Sequence, residues 1–343
     1  MSSVWENVAN EKDLEIELPG GVRMLFRRIP ACPNEGFRMG SRGNDGNEEP
    51  IHRVRIPDDF FLGKFVVTQE QYAAVAGQVP ALQMRADPSG FKGRRNPVEM
   101  VDWREANRFC DWLTRHVPVA QLPDGFNRFC LPTEAEWEYA CRGGTETEYY
   151  SGDGEAALAE VGWYHGNSGD TTHPVDRAVN GTPEKHPAGL VGMHGNVWEW
   201  CHDEYERDPY RRRLDGDVDP AWEQRRQDWI SGLDSILKVP KDRLRVLRGG
   251  SWNSDAWWCR SSYRLRWRPV ERYWSFGFRV CLVRGPATEG EAREQQKRAE
   301  APRARGVEGR GTRPETDGAG GAGAATSDAW GEARFPAKPD ANF

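Results

Sequence analysis

The residues of this chain that are able to do chemistry fall into four sets, and spacing limits what each can do. The cysteines are Cys32, Cys110, Cys130, Cys141, Cys201, Cys259 and Cys281. Their number is odd, their spacing irregular, and no C-x-x-C pair occurs. They read as reduced thiols of a cytoplasmic protein, packed as small hydrophobes, rather than as a disulfide framework. The histidines (His52, His116, His165, His173, His186, His194 and His202) show no H-x-x-x-H ligand spacing. Asn196 and Glu199, beside the backbone carbonyls of Gly195 and Val197, offer hard oxygen ligands of the kind that suit Ca2+. The same two side chains are equally able to hydrogen-bond neighbouring backbone. No nucleophile elbow, phosphate-cradling glycine loop or zinc signature is present.

The fourth set is the stretch 252–276, WNSDAWWCRSSYRLRWRPVERYWSF. Large aromatics interleaved with arginines have the composition of interface hot spots. The candidate contact residues are Trp252, Asn253, Ser254, Asp255, Trp257, Trp258, Tyr263, Leu265, Trp267, Val270, Glu271, Tyr273, Trp274, Ser275 and Phe276. The competing reading packs these aromatics on the core or on a neighbouring insertion. Rings and arginines together also suit single-stranded nucleic acid. Acidic neighbours and a net charge of −6 argue against that partner and against an anionic membrane.

Elements must position these groups. Residues 13–65 alternate as strands, with Pro19-Gly20-Gly21 as a turn between two of them. Three helix starts then carry the same signal, Thr68 with Gln71, Asp102 with Glu105 and Thr133 with Glu136. In each, a side-chain oxygen caps an orphan N–H and the residue three on reaches back. Ala106, Phe109, Cys110 and Leu113 share one helix face, as do Trp137 and Ala140, and Gly143-Gly144 closes the third helix. From about 145 to 250 the chain is rich in Gly, Asn, Asp and Pro, which reads as long ordered loops. Residues 205–242 look like an insertion within that stretch, and 243–283 return to strand character. After Gly285 large aliphatic residues almost vanish, so 286–343 read as a flexible low-complexity tail beside a domain spanning 1–285. No run of 18 apolar residues exists, and the start has neither a basic n-region nor an apolar h-region, so neither a span nor a secretory signal is expected.

Six blocks in order carry a resemblance. They are FRMGS at 37–41, FLGKFVVTQEQY at 61–72, NPVEMVDWREANRFCDWL at 96–113, RFCLPTEAEWEYACRGG at 128–144, GLVGMHGNVWEWCHD at 189–203, and RVLRGGSW with FGFRV at 245–280. Together they resemble the formylglycine-generating-enzyme (sulfatase-modifying factor) family. The resemblance implies an α+β, C-type-lectin-like fold with small antiparallel sheets, a few helices and long ordered loops. It also implies a structural Ca2+ at Gly195, Asn196, Val197 and Glu199. The family's oxidases bind copper(I) through two cysteines after the Gly-Gly-Ser. Here the second falls on Cys259 and the first on Ser254, whose hydroxyl is a poor copper(I) ligand. The matching serine and tryptophan are Ser251 and Trp200, residues that also suit structural roles. The remade stretch 252–276 is similar to the variable proteins of diversity-generating retroelements, in which such residues form a ligand-binding face. The expectation is a non-catalytic binder of a protein or other macromolecule, without copper. The alternative is a copper-dependent thiol oxidase acting on a protein cysteine.

Overall fold

The computed structural model describes residues 5, 7–8, 11–44, 46–78, 84–181, 185–207, 210, 217–219, 221, 224–225 and 233–285. The chain divides into two units, Met1–Ala287 and Thr288–Phe343. The second unit, and with it the tail expected at 286–343, lies outside the described residues, as does much of the stretch 205–242.

The N-terminal strands follow the alternation of their sequence. Strands β1 (Leu14–Leu18) and β2 (Val22–Ile29) pair antiparallel across Pro19-Gly20-Gly21. Gly20 and Gly21 stand at φ 78° and 74°, which side chains avoid. Next come β3 (Cys32–Met39), β4 (His52–Ile56) and β5 (Phe60–Gly63). Helices α1 (Gln69–Ala76), α2 (Trp103–His116) and α3 (Glu134–Arg142) start where the capping signals put them. All three boxes are closed in both directions: Asp102 accepts from Glu105 N–H at 2.8 Å, and its own N–H reaches Glu105 at 3.0 Å. Gly143 ends α3 in the left-handed region, at φ 53°.

Strand β6 (Arg128–Cys130) precedes α3, and helix α4 (Gly154–Val161) and strand β7 (Trp198–Glu204) follow it. Both α4 and β7 fall in the stretch expected to be loops. The loop expectation fails at β7 because its partners are distant in sequence. The remaining strands are β8 (Asp217–Val218), β9 (Arg245–Arg248), β10 (Leu265–Trp267), β11 (Phe276–Gly277) and β12 (Cys281–Val283). Helix α5 spans Leu233–Leu237. Three sheets result: β1-β2-β5-β12-β6, β10-β9-β7-β11 and β3-β4-β8. This is an α+β architecture of small, mostly antiparallel sheets. Among the described residues no helix is long and apolar enough to cross a membrane.

With so little regular structure, buried ion pairs tie the loops together. Arg248 reaches Glu134 at 3.0 Å and Glu138 at 2.5 Å, and also caps the carbonyls of Ser261 and Ser262. Arg264 forks onto Glu134 at 2.6 and 2.7 Å, and Arg225 onto Glu136 at 2.5 and 2.6 Å. Each of these charges is buried, so each needs its partner to remain charged at tolerable cost. Through them α3 fixes the chain at both ends of the stretch 248–264.

Candidate functional site

The corner where the resemblance places an oxidase centre is closed by hydroxyls. Gly249 and Gly250 turn the chain at φ 96° and 77°. A Cβ on Gly250 would fall 2.3 Å from Cys259 Sγ, so the close approach requires glycine. Ser251 Oγ donates to Asn253 Oδ1 at 2.7 Å. Its single proton being spent there, the 2.9 Å contact between the two hydroxyls has Ser254 donating to Ser251. Ser254 Oγ in turn accepts the Ser251 N–H at 3.0 Å. Both Ser251 and Ser254 are buried.

Cys259 packs among Tyr149, Leu158 and Tyr164, apart from the cluster that holds Cys130, Cys141, Cys201 and Cys281. Burial pushes its thiol well above the usual range, against the thiolate that copper chemistry needs. Cys281 stands on β12 opposite Cys130 of β6 and supplies no second ligand. His194 holds the Cys259 carbonyl through Nδ1 at 2.8 Å and accepts the Tyr150 N–H at Nε2, 3.2 Å away. Burial lowers its pKa to about 3, so the ring is neutral and this tautomer is fixed. Trp200 is wholly buried, donating to Val101 O at 3.1 Å with its ring against Phe276.

The side-chain oxygens expected to bind Ca2+, those of Asn196 and Glu199, are already taken. Glu199 accepts from Arg279 Nη2 at 2.9 Å, Arg279 Nε at 3.1 Å and Trp137 Nε1 at 2.8 Å. Asn196 Oδ1 accepts the His173 N–H and its Nδ2 donates to His173 O, both at 3.0 Å. The Asn196 carbonyl accepts from Trp252 N–H at 2.9 Å, and the Gly195 N–H reaches Gly249 O at 2.6 Å. Val197 is buried in the same stretch. With its one carboxylate already neutralised by the Arg279 guanidinium, this donor set does not fit Ca2+. Among the described residues no group of three or more His, Cys, Asp or Glu side chains could hold a metal.

The stretch 252–276 separates into two populations. Trp252, Ser254, Leu265, Ser275 and Phe276 are buried, and the expectation that they face a ligand is corrected. Trp252 Nε1 donates to Trp274 O at 3.1 Å, and Ser275 O accepts from Trp198 N–H at 2.7 Å. Leu265 pairs with Leu247 across β9–β10, and Phe276 with Trp198 across β7–β11. These residues build the scaffold. Asp255 is exposed and Trp257 is 45% exposed, while Asn253, Trp258, Tyr263, Trp267, Val270, Glu271, Tyr273 and Trp274 are half-buried.

Several of the displayed rings are held rigid. The Arg260 guanidinium lies 3.9 Å from the Trp257 ring centre. That guanidinium is itself clamped by Glu48 at 3.0 and 2.8 Å, with both charges buried. Trp267 meets Tyr273 edge-on at 5.2 Å. Trp274 and Trp252 both meet Phe91 edge-on, at 5.8 and 5.1 Å. Phe91 and its neighbour Gly90 went unnoticed in the sequence. A glycine followed by a phenylalanine in a polar loop was the available signal, since a ring in such a loop needs somewhere to pack.

Residues 31–284 match the sulfatase-modifying factor enzyme 1-like domain. The formylglycine-generating enzyme of Mycobacterium tuberculosis is 33% identical over 302 residues, covering 72% of this chain and 92% of that protein. The chaperone protein LppX of Paenibacillus barcinonensis is 28% identical, covering 57% of this chain and 70% of that one. Among solved structures, the Treponema denticola variable protein 1 superposes with a TM-score of 0.59 at 28% identity, over 80% of this chain and 99% of that one. With an α+β domain whose Gly-Gly-Ser turn, capped helices and buried Arg–Glu pairs span the same residues, the chain belongs to the sulfatase-modifying factor enzyme 1-like (formylglycine-generating enzyme) family.

Proposed function

We propose that the chain is a non-catalytic, ligand-binding member of its family, which meets a protein or other macromolecule through the displayed part of 252–276. The observation that carries this reading is Ser254. Its hydroxyl takes the first cysteine's place and spends its proton and one lone pair on Ser251. Cys259 is left as a single buried thiol, one short of the thiolate pair that a copper(I) site of this kind uses. What remains on the surface is rigid aromatic area, led by Trp257 on its arginine clamp. Anchors of this kind lose little side-chain entropy on binding.

The likeness to the Treponema denticola variable protein 1 supports the same reading. Diversification by a retroelement is the finer form of it. A reverse-transcriptase gene and a near-repeat of the 252–280 coding segment, differing at adenines, belong beside this gene if that form holds. Copper(I) titration of the purified protein separates binder from oxidase. The expected outcome is no tight stoichiometric uptake. Uptake that disappears in Cys259→Ala would instead make the chain a copper-dependent thiol oxidase.

A further inference from the structure

The loop 84–101 runs beneath the displayed face and contains one wholly buried acid, Glu99. Its Oε1 accepts the Phe91 N–H at 2.9 Å, and its backbone N–H donates to Ser89 Oγ at 3.1 Å. Its Oε2 is buried with no hydrogen-bond partner. A carboxylate with one bare buried oxygen is expensive, whereas a carboxylic acid keeps the Phe91 bond and carries no charge. Burial pushes the pKa of Glu99 up to about 8, with the N–H groups of Phe91 and Gly90 pulling the other way. The charged groups that face it are Lys92 and Arg85, both cations of its own loop. Lys92 is held by Asp87 at 2.7 Å and Arg85 lies 3.8 Å from Glu105. From the packed stretch 272–275, the one charged side chain, Arg272, turns to Asp102 and Glu105.

The turn that Glu99 fastens seats two tryptophans. A Cβ on Gly90 would lie 1.9 Å from the Trp274 ring, so that ring rests directly on the backbone of the turn. One residue on, Phe91 places its edge against both Trp252 and Trp274. Met100, next to Glu99, donates its N–H to Tyr273 O at 3.0 Å and ties the other end of the loop to the same stretch.

We propose that Glu99, as a neutral carboxylic acid, is the positioning residue of the aromatic face: it fastens the 89–93 turn under Trp252 and Trp274, and its ionisation loosens their seat. That this matters for recognition rests on 252–276 being the contact face; the positioning itself does not. The folded state keeps a proton that the unfolded chain has released above about pH 4.5. Stability contributed at this position is therefore lost as pH rises from there to about 8.

The test uses the full chain and needs no ligand. Acrylamide quenching of tryptophan fluorescence and the denaturation midpoint are followed from pH 5 to 9 for the wild type, Glu99→Gln, Trp274→Phe and Lys92→Met. In the wild type, quenching is expected to increase in a one-proton step near pH 8. Glu99→Gln, which keeps the Phe91 bond without a titratable proton, is expected to abolish the step, and Trp274→Phe to shrink its amplitude. Lys92→Met removes a cation that favours ionisation, so it is expected to move the step to higher pH. This arm stands even if Glu99→Gln does not fold. No step in the wild type, an unchanged step in Glu99→Gln, or a step unmoved by Lys92→Met would overturn the proposal. None of those results touches the reading of Trp257 as a contact residue, which fails or stands on binding alone.

Discussion

The stretches 194–203 and 252–276 are both rich in tryptophan and polar side chains, and both look like sites in the sequence, yet only the second is open. In the first, Asn196, Glu199, Trp198 and Trp200 are buried, and donors from residues 137, 173 and 279 occupy the side-chain oxygens of Asn196 and Glu199. In the second, the framework arginines 260 and 264 are consumed by Glu48 and Glu134, while Asp255 and Trp257 stay exposed at the surface. Residue type announces capacity for chemistry. Whether the rest of the chain uses up that capacity decides between scaffold and site.

That contrast is breakable. The largest effect is expected where the closed stretch loses a charge partner. Glu199→Gln leaves Arg279 buried without its carboxylate and should cost about 3–5 kcal/mol of unfolding free energy in a denaturant titration. A loss below about 1 kcal/mol would mean that the Glu199–Arg279 pair is not the lock described above. Within 252–276, Trp252→Ala should cost a similar amount, about 3–5 kcal/mol, because it empties a buried site. Trp257→Ala, on the surface, gives up its stacking on Arg260 and should cost about 1 kcal/mol or less. Equal losses from the two would show that the division into scaffold and display is wrong. The smallest effect belongs to calcium. A chelator should leave the thermal midpoint unchanged, whereas a resident ion held at about a hundred times its dissociation constant would contribute about 2.7 kcal/mol.

Much of this architecture was legible because it is local. The capping boxes at Thr68, Asp102 and Thr133 need only three residues of sequence, and all three formed as read. The turn at Gly20-Gly21 and the stop at Gly143 are equally short-range. Strand β7 was missed because its pairing depends on Arg248 and Phe276, far along the chain, and its own residues lack a period of two that points outward. The same non-locality hid the fate of Asn196 and Glu199, whose oxygens were visible but whose donors were not. Inside 252–276, Leu265 and Arg266 do alternate as a strand should, buried then exposed, and so carried a readable sign. Ser254 and Ser275 sit in irregular backbone, where no periodicity separates inside from outside.

The order of the five-stranded sheet bears on how this chain reaches its native state. Strand β12, only three residues long, lies between β5 and β6. It faces partners about 150 residues earlier at Cys130 and about 220 earlier at Leu62. Until Cys281–Val283 has emerged, the hairpin of β1 and β2 with β5 has one edge bare, and β6 has nothing to pair with. Loop-closure entropy must be overcome before these contacts give anything back, so folding should be slow and concerted rather than progressive from the N-terminus. During synthesis the five-stranded sheet therefore stays open between β5 and β6 until nearly the last strand is made, an interval in which a bare strand edge is exposed to mispairing.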